Sequence, residues 1–329
     1  MWRRCGKKEG IVKTSSEPAL RRYSLNGETM GSRYTAVFYA GGQADLAAIG
    51  ASLFAAVDRV DRQMSTWNVA SDLCRLNAAP ENTWIPVPRE LAQVLAAGLQ
   101  VSGESGGAFD MAVGQLVEDW GFGPSQCAPS PQIAARHGKT YCPATEALDV
   151  DLEALQVRKR APLTLDLSGI AKGFGVDQLA HCLDGWSIAS YLVGIDGEMR
   201  ARSTRPDGQA WSVAIEKPTH GMREIGGVME LHDVAIATSG DYRRWVEIDG
   251  TRHAHTMHPA LRQPVANRLA AVSVLAPSCM LADAWATAFM VLGEVDGVAL
   301  AMKRGMDVLF VLRHGALLEE ILLIDGKMV

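Results

Sequence analysis

The segment Asp233–Met257, "DVAIATSGDYRRWVEIDGTRHAHTM", decides what kind of sheet this chain can build. It holds successive strand-like runs with no helix between them. "DVAIATS" is short, apolar and bounded by turn residues. "RRWVEIDGTRHAHTM" reads as a hairpin, because Asp249 and Gly250 tolerate the positive φ of a tight turn. Upstream, "IASYLVGI" and "AWSVAIE" are two more strands. Downstream, "LAAVSVLA" leads into a helix at "SCMLADAWATAFMVLG", and "DVLFVLRHGALLEEILLI" is a second hairpin. Strands here do not alternate strictly with helices, which argues against a doubly wound sheet. The pattern predicts an α+β fold with mainly antiparallel mixed sheets and packed helices.

The first half fits the same class. "RYTAVFYA" (Arg33–Ala40) is a strand. Leu46, Ile49, Leu53, Val57, Val60 and Met64 form a helical stripe, with Asp45 as its N-cap. A further helix is expected from about Arg89 to Val101. Residues 123–150, rich in Pro, Ala and polar side chains, read as an irregular excursion. Residues 1–22 are polar and basic and predict a flexible lead-in, leaving 23–329 as the folded domain.

The 329 residues suffice for a large core, in one domain or two. A hydrophobic content of 48% with 21% charged residues is that of a soluble globular protein. With a net charge of −5 and no basic face, no nucleic-acid partner is expected. No apolar run approaches the roughly 20 residues that cross a bilayer. The six cysteines (Cys5, Cys74, Cys127, Cys142, Cys182, Cys279) form no CxxC pair, and most are expected to be free. For Cys5 two readings stand. It is a residue of a disordered tail, or the Cys-Gly opening of a lipoprotein whose leader has been trimmed, with a lipid anchor as its membrane contact.

Several constellations carry chemistry. Leu281, Trp285, Ala288, Phe289 and Leu292 make the helix at 278–293 apolar and therefore buried, yet Asp283 lies within it and Thr287 follows four residues on. A buried carboxylate needs a cation or a strong donor. Asp283 is either a first-turn acid favoured by the helix dipole behind an N-cap at Ser278, or, with Thr287, a hard oxygen site suited to Mg²⁺. "HAHTMHP" supplies His253, His255 and His258. The first two share a strand face and the third breaks the period, so surface residues of a hairpin arm weigh against zinc. "ATSGDYRRW" is a turn, or a loop offering Ser239, Asp241, Arg243 and backbone amides to an anion. Gly106-Gly107 before Ala108-Phe109-Asp110 is a helix terminator, or a backbone that lets a flat ligand approach. Trp67 is core or a stacking surface. In "DLSGIAKGFGVDQLA" a strand end with Asp166 and Ser168 passes through Gly169 into a helix opening with Ala171-Lys172-Gly173. That is an anion site at a helix N-terminus or a plain strand-to-helix turn; it is not a Walker loop.

Taken in order, "GETMGSRYTAVFY", "MSTWNVASDLCRLN", "SGGAFDMAVGQLVEDWGFG", "DLSGIAKGFGVDQLA", "YLVGIDGEMRAR", "WSVAIEKP", "ATSGDYRRWVEIDGTRHAHTMHP" and "VSVLAPSCMLADAWATAFMVLG" resemble the FAD:protein FMN transferases, the ApbE-type flavin transferases. The resemblance runs from about Leu25 to Gly293. It implies an ApbE-like, T-fold-like architecture and a catalytic domain over 23–329. It implies Mg²⁺-dependent cleavage of FAD at its pyrophosphate, transfer of FMN to a Thr or Ser hydroxyl of a target protein, and release of AMP. The implied target is a flavoprotein subunit of a respiratory electron-transfer complex. The implied compartment is the periplasm, with a cytoplasmic enzyme as the alternative.

By the same resemblance, Asp283, Thr287 and the Ala171 carbonyl are metal ligands. Met30, Trp67, Ala108, Phe109, Asp110 and Ser168 contact flavin, Lys172 lies beside the phosphates, and His255 is the histidine of the H-x-x-D-P segment. On chemical grounds His255 is the candidate base for the acceptor hydroxyl, and Arg243 and Lys172 the cations for developing charge. The chain departs from the family at three places. His258 stands where Asp usually precedes Pro259, Asp196 stands where Gly-Gly is usual, and Trp67 replaces a frequent Tyr. Rival readings are a flavin carrier without transferase activity and an Mg²⁺-dependent FAD pyrophosphatase.

Overall fold

The computed structural model describes residues 20–126, 128–129, 141–219, 224–248, 250–315 and 317–329. Cys5, Cys127, Asp249 and most of the expected lead-in lie outside them. The chain opens with β1 (Arg21–Thr29) and β2 (Ser32–Ala40). Then come α1 (Leu46–Met64), α2 (Asp72–Ala78), β3 (Trp84–Pro86), α3 (Arg89–Glu104) and α4 (Gly114–Asp119). Next are α5 (Ala144–Ala147), β4 (Leu148–Asp151), β5 (Gln156–Lys159) and α6 (Ala171–Gly185). A strand-rich stretch follows: β6 (Ser190–Ile195), β7 (Glu198–Arg202), β8 (Trp211–Glu216), β9 (Ile225–Leu231) and β10 (Ala235–Gly240). Four short strands come next, β11 (Trp245–Ile248), β12 (Thr251–Ala254), β13 (Met257–His258) and β14 (Gln263–Pro264). The chain closes with β15 (Leu269–Ala276), α7 (Cys279–Arg304), β16 (Asp307–His314), β17 (Leu317–Ile324) and β18 (Lys327–Met328).

Nine strands form one sheet in the order β1-β2-β6-β7-β10-β15-β16-β17-β18, and every pairing in it is antiparallel. Strand periodicity gives the sheet two different faces. On β2, Tyr34, Ala36 and Phe38 point into a core shared with α1 and α6, while Val37 and Tyr39 point the other way, under the β8–β9 hairpin. A second core joins α3 and α7 to β15 and β16. This is the α+β arrangement expected. Its differences from expectation are local. β1 starts at Arg21, inside the stretch assigned to the lead-in, and the end of the supposed excursion forms α5 and β4. Asp45 caps α1, accepting from the Ala48 amide at 3.0 Å, as the stripe implied.

α7 lies between the antiparallel neighbours β15 and β16 and packs on β10 and β15. It is the one helix, among the described residues, long and apolar enough to cross a membrane, and half of its most apolar window is buried inside the fold. Its helical backbone breaks at Gly293, where φ is 78° and ψ −177°, so the first segment ends where the sequence placed its stop. Cys182 lies in α6, Cys279 opens α7, and both are free, as are Cys74 and Cys142.

Candidate active site

α6 and α7 meet at their N-termini and exchange capping carboxylates. Asp177 of α6 accepts from the Cys279 amide at 3.0 Å and the Met280 amide at 2.9 Å, two of the open donors that begin α7. Arg200 of β7 closes on the same carboxylate. In return Asp283 of α7 accepts from the Gly173 amide, in the first turn of α6, at 2.9 Å. Ser278 caps α7 through the Leu281 amide, as expected, so Asp283 sits one turn further in. The reading of Asp283 as a first-turn acid of its own helix is therefore corrected: it caps the neighbouring helix. The approach is close enough that a Cβ on Gly173 would overlap the Cys279 carbonyl and lie 2.8 Å from Asp283 Cβ.

Asp283 is 4% exposed. Burial, then the negative charge of Glu198, push its carboxyl up to about 7, against the pull of Lys172 and the Gly173 amide. Thr287 lies one turn on, its Oγ1 3.3 Å from Ser239 Oγ on β10. The turn before α6 faces that hydroxyl: a Cβ on Gly169 would sit 2.9 Å from Thr287 Oγ1 and 3.3 Å from Phe109 Cε2. Ala171, the first residue of α6, is buried beside them. A buried carboxylate and a hydroxyl one turn apart, both against the start of α6, are oxygens of the kind a hard divalent cation takes, beside a space that a side chain at 169 would fill.

Lys172, the second residue of α6, is engaged by carboxylates close to Asp283. Its Nζ lies 2.7 Å from Glu198 Oε1 and 3.7 Å from Asp196 Oδ2. Burial alone would lower its pKa, but Glu198, Asp283 and Asp196 outweigh it and hold the ammonium above its ordinary range. The second oxygen of Glu198 is buried without a hydrogen-bond partner among the described residues. Arg243 is held by Asp196 (2.7 Å to the carbonyl, 3.2 Å to Oδ1) and by Glu216 Oε2 at 2.7 Å. Asp241 pairs with Arg313 at 2.9 Å.

His255 follows β12. Its Nδ1 lies 3.3 Å from the Arg244 carbonyl. A carbonyl only accepts, so the proton sits on Nδ1 and Nε2 carries the lone pair. Burial, with Lys172 and Arg244 adding to it, pushes the pKa down to about 4. The ring stands edge-on to Phe122, 6.3 Å between centroids, as His253 packs on Trp120 at 5.1 Å. The shared face read from the sequence thus packs on an aromatic pair that sequence reasoning missed, although the i, i+2 spacing of Trp120 and Phe122 matches that of the two histidines. His258 belongs to a different feature. Its Nδ1 accepts from the Leu261 amide at 3.3 Å within the turn joining β13 to β14. There an imidazole nitrogen does what an aspartate oxygen would do. Among the described residues no three His, Cys, Asp or Glu side chains form a metal cluster.

The remaining positions expected to contact flavin divide. Met30 occupies the two-residue β1–β2 turn at φ 47°, where few side chains are at ease, and its methyl group reaches α6 near Gly175. Ala108 and Phe109 are buried, with Phe109 against the 169 turn. Asp110 is buried too, but its carboxylate accepts from Tyr141 and from the Ala112 and Ala144 amides, anchoring the chain around residue 144. Ser168 turns back onto Asp166. Trp67 is half exposed beyond the end of α1.

A model of the ApbE family matches residues 30–310. The FAD:protein FMN transferase of Vibrio cholerae is 36% identical over 307 residues, 92% of this chain and 91% of that protein. The enzyme of the same description from Haemophilus influenzae is 36% identical over 298 residues, 88% of this chain and 86% of its own. Among solved structures, the flavin transferase ApbE from Vibrio cholerae superposes with a TM-score of 0.82 at 34% identity, covering 94% of this chain and 99% of that one. The apo flavinyl transferase ApbE of Pseudomonas stutzeri superposes equally well, at 0.82 and 34%, over 94% and 98%.

Proposed function

This chain belongs to the ApbE family and is an enzyme that transfers FMN from FAD to protein, and from that premise we propose the residues and steps by which it does so. Asp283, Thr287 and the Ala171 carbonyl hold Mg²⁺. The observation that carries this reading is the buried acid of α7, one turn before a hydroxyl and directly against the start of α6. Mg²⁺ bound there supplies Lewis-acid polarisation of pyrophosphate oxygens.

The rest is done by the chain. The α6 N-terminus and its turn present amides to the pyrophosphate. Phe109, Ala108, Met30 and Trp67 offer apolar surface to the flavin, and Ser168 and Ser239 border the same turn. Asp110 shapes the wall by anchoring residues 141–144. His255 accepts the proton of the target threonine or serine at Nε2. That hydroxyl oxygen bonds to the FMN phosphorus, the bridging P–O bond breaks, and AMP leaves with the electron pair. The support for His255 is its tautomer and its neutral state at pH 7. The target is a flavoprotein subunit of a respiratory electron-transfer complex. By the resemblance the protein works outside the cytoplasmic membrane, with Cys5 either a tail residue or a lipid tether. Cell fractionation separates the two: with a tether, Cys5→Ser moves the protein from the membrane to the soluble fraction, and without one it changes nothing.

The deciding experiment incubates the purified chain with FAD, Mg²⁺ and an acceptor domain and follows the acceptor by mass spectrometry. A chelator-sensitive FMN adduct with AMP release is expected, and Asp283→Ala is expected to lose it. FMN and AMP without an adduct would indicate hydrolysis instead, and full transfer by Asp283→Ala would remove the metal assignment.

A further inference from the structure

Asp196 and Gly197 form the two-residue turn between β6 and β7, both at positive φ (52° and 121°). Such a turn accepts Asn or Gly as readily as Asp. The turn geometry therefore does not account for a charge at this position. What the charge does is visible in its contacts. One carboxylate oxygen lies 3.7 Å from Lys172 Nζ and the other 3.2 Å from Arg243. Lys172 is also paired with Glu198, and Arg243 with Glu216. Among the described residues Lys172 and Arg243 face Asp196, Glu198 and Glu216, and Asp196 is the acid that touches both cations. These acids stand next to the start of α6, where Asp283 adds another.

We propose that Asp196 is an affinity-setting residue that keeps Lys172 and Arg243 neutralised, so that FAD binds well only together with a divalent cation. The inference rests on the FAD reading given above. A pyrophosphate entering the metal-free site meets cations already engaged by carboxylates. Removing the Asp196 charge takes away the carboxylate shared by both cations, and the metal-free site then attracts the anion more strongly. The effect is electrostatic and acts across partly exposed groups, so it weakens as salt rises.

The test measures FAD affinity of the full chain by flavin fluorescence, in EDTA and in Mg²⁺, at low and high ionic strength. The parent, Asp196→Asn, Asp196→Gly and Asp196→Glu are compared, with melting curves to establish that each is folded. Asn and Gly are expected to tighten metal-free FAD binding at least about fivefold at low salt and to lose most of that gain at high salt. Their affinity in Mg²⁺ is expected to change less, which shrinks the metal dependence. Glu, which keeps the charge, is expected to keep the metal dependence. Metal-free affinity unchanged in Asn and Gly would overturn the proposal. Weaker binding in both would also overturn it, since Asp196 would then align the cations for FAD. A parent that binds no FAD in either buffer but is folded would overturn the FAD reading and this proposal together.

Discussion

Asp283 is the residue whose environment makes the sharpest prediction. Its carboxyl is raised above the usual range by burial and by Glu198. A group with a raised folded pKa favours the fold below its unfolded pKa and loses that contribution as pH rises through the folded value. The metal-free chain should therefore lose stability between about pH 4 and pH 7. Divalent metal, which binds the ionised form, should offset the loss. Melting curves with EDTA and with Mg²⁺ across that range should diverge as pH rises, and Mg²⁺ affinity measured by calorimetry should climb to about pH 7 and then level.

His255 shifts in the opposite direction. Its neutral form persists down to about pH 4, so with saturating metal the acid limb of kcat/KM should fall well below the ordinary histidine value near 6.5. His255→Ala should lower kcat by about 10²–10⁴-fold if the ring is the base. A limb at 6.5 with an unaltered His255→Ala rate would assign the proton to another group. The sequence offered His255 as a candidate, but its tautomer depends on the Arg244 carbonyl, eleven residues back across the hairpin. No local pattern encodes that contact.

Among elements, α6 and α7 show what a sequence can and cannot announce. The cap at Ser278 and the stop at Gly293 are local signals and were legible as such. The partner of Asp283 was not, because the Gly173 amide is 110 residues away along the chain. Sequence physics left Asp283 poised between a cap and a metal ligand, and the structure makes it a cap for the other helix, with the Thr287 hydroxyl one turn on. The glycines along these helices separate packing from propensity. A Cβ at Gly173 would overlap the backbone of α7, whereas a Cβ at Gly103, in α3, meets nothing within 4 Å. Gly103→Ala should raise stability by up to about 1 kcal/mol through helix propensity. Gly173→Ala should lower it by about 1–3 kcal/mol, the range for overpacking. It should also weaken Mg²⁺ binding, since the helices must part to admit the methyl. Thermal melts and metal titrations of the two variants check both outcomes.

At the scale of the whole molecule, the class of fold followed from strand runs without intervening helices. β15 lies over the residues expected of it, and the hairpins at 245–254 and 307–324 hold. β1 escaped notice because its burial is shallow. Tyr23 and Leu25 only lean on the core, and the rest of "RRYSLNGET" is polar. The alternation of Tyr23, Leu25 and Gly27 was the faint signal available. The small sheet of β3, β5 and β4 was hidden for a related reason: it brings together residues 84–86 and 148–159, and no single window contains both. Burial periodicity reveals strands that fill a core, and pairing between distant segments emerges only in three dimensions.

The exchange of caps between α6 and α7 bears on when the enzyme comes into being. Asp177 must wait 102 residues, and Gly173 must wait 110, for the partners that complete them. Contacts this distant in sequence form late, after the loop between them has closed. On a translating ribosome, the turn before α6 emerges long before the acid that stands behind it. A nascent or prematurely ended chain that has made α6 but not α7 lacks Asp283 and Thr287, and on the metal reading proposed above it would be inert toward the flavin pool of the cell that is making it.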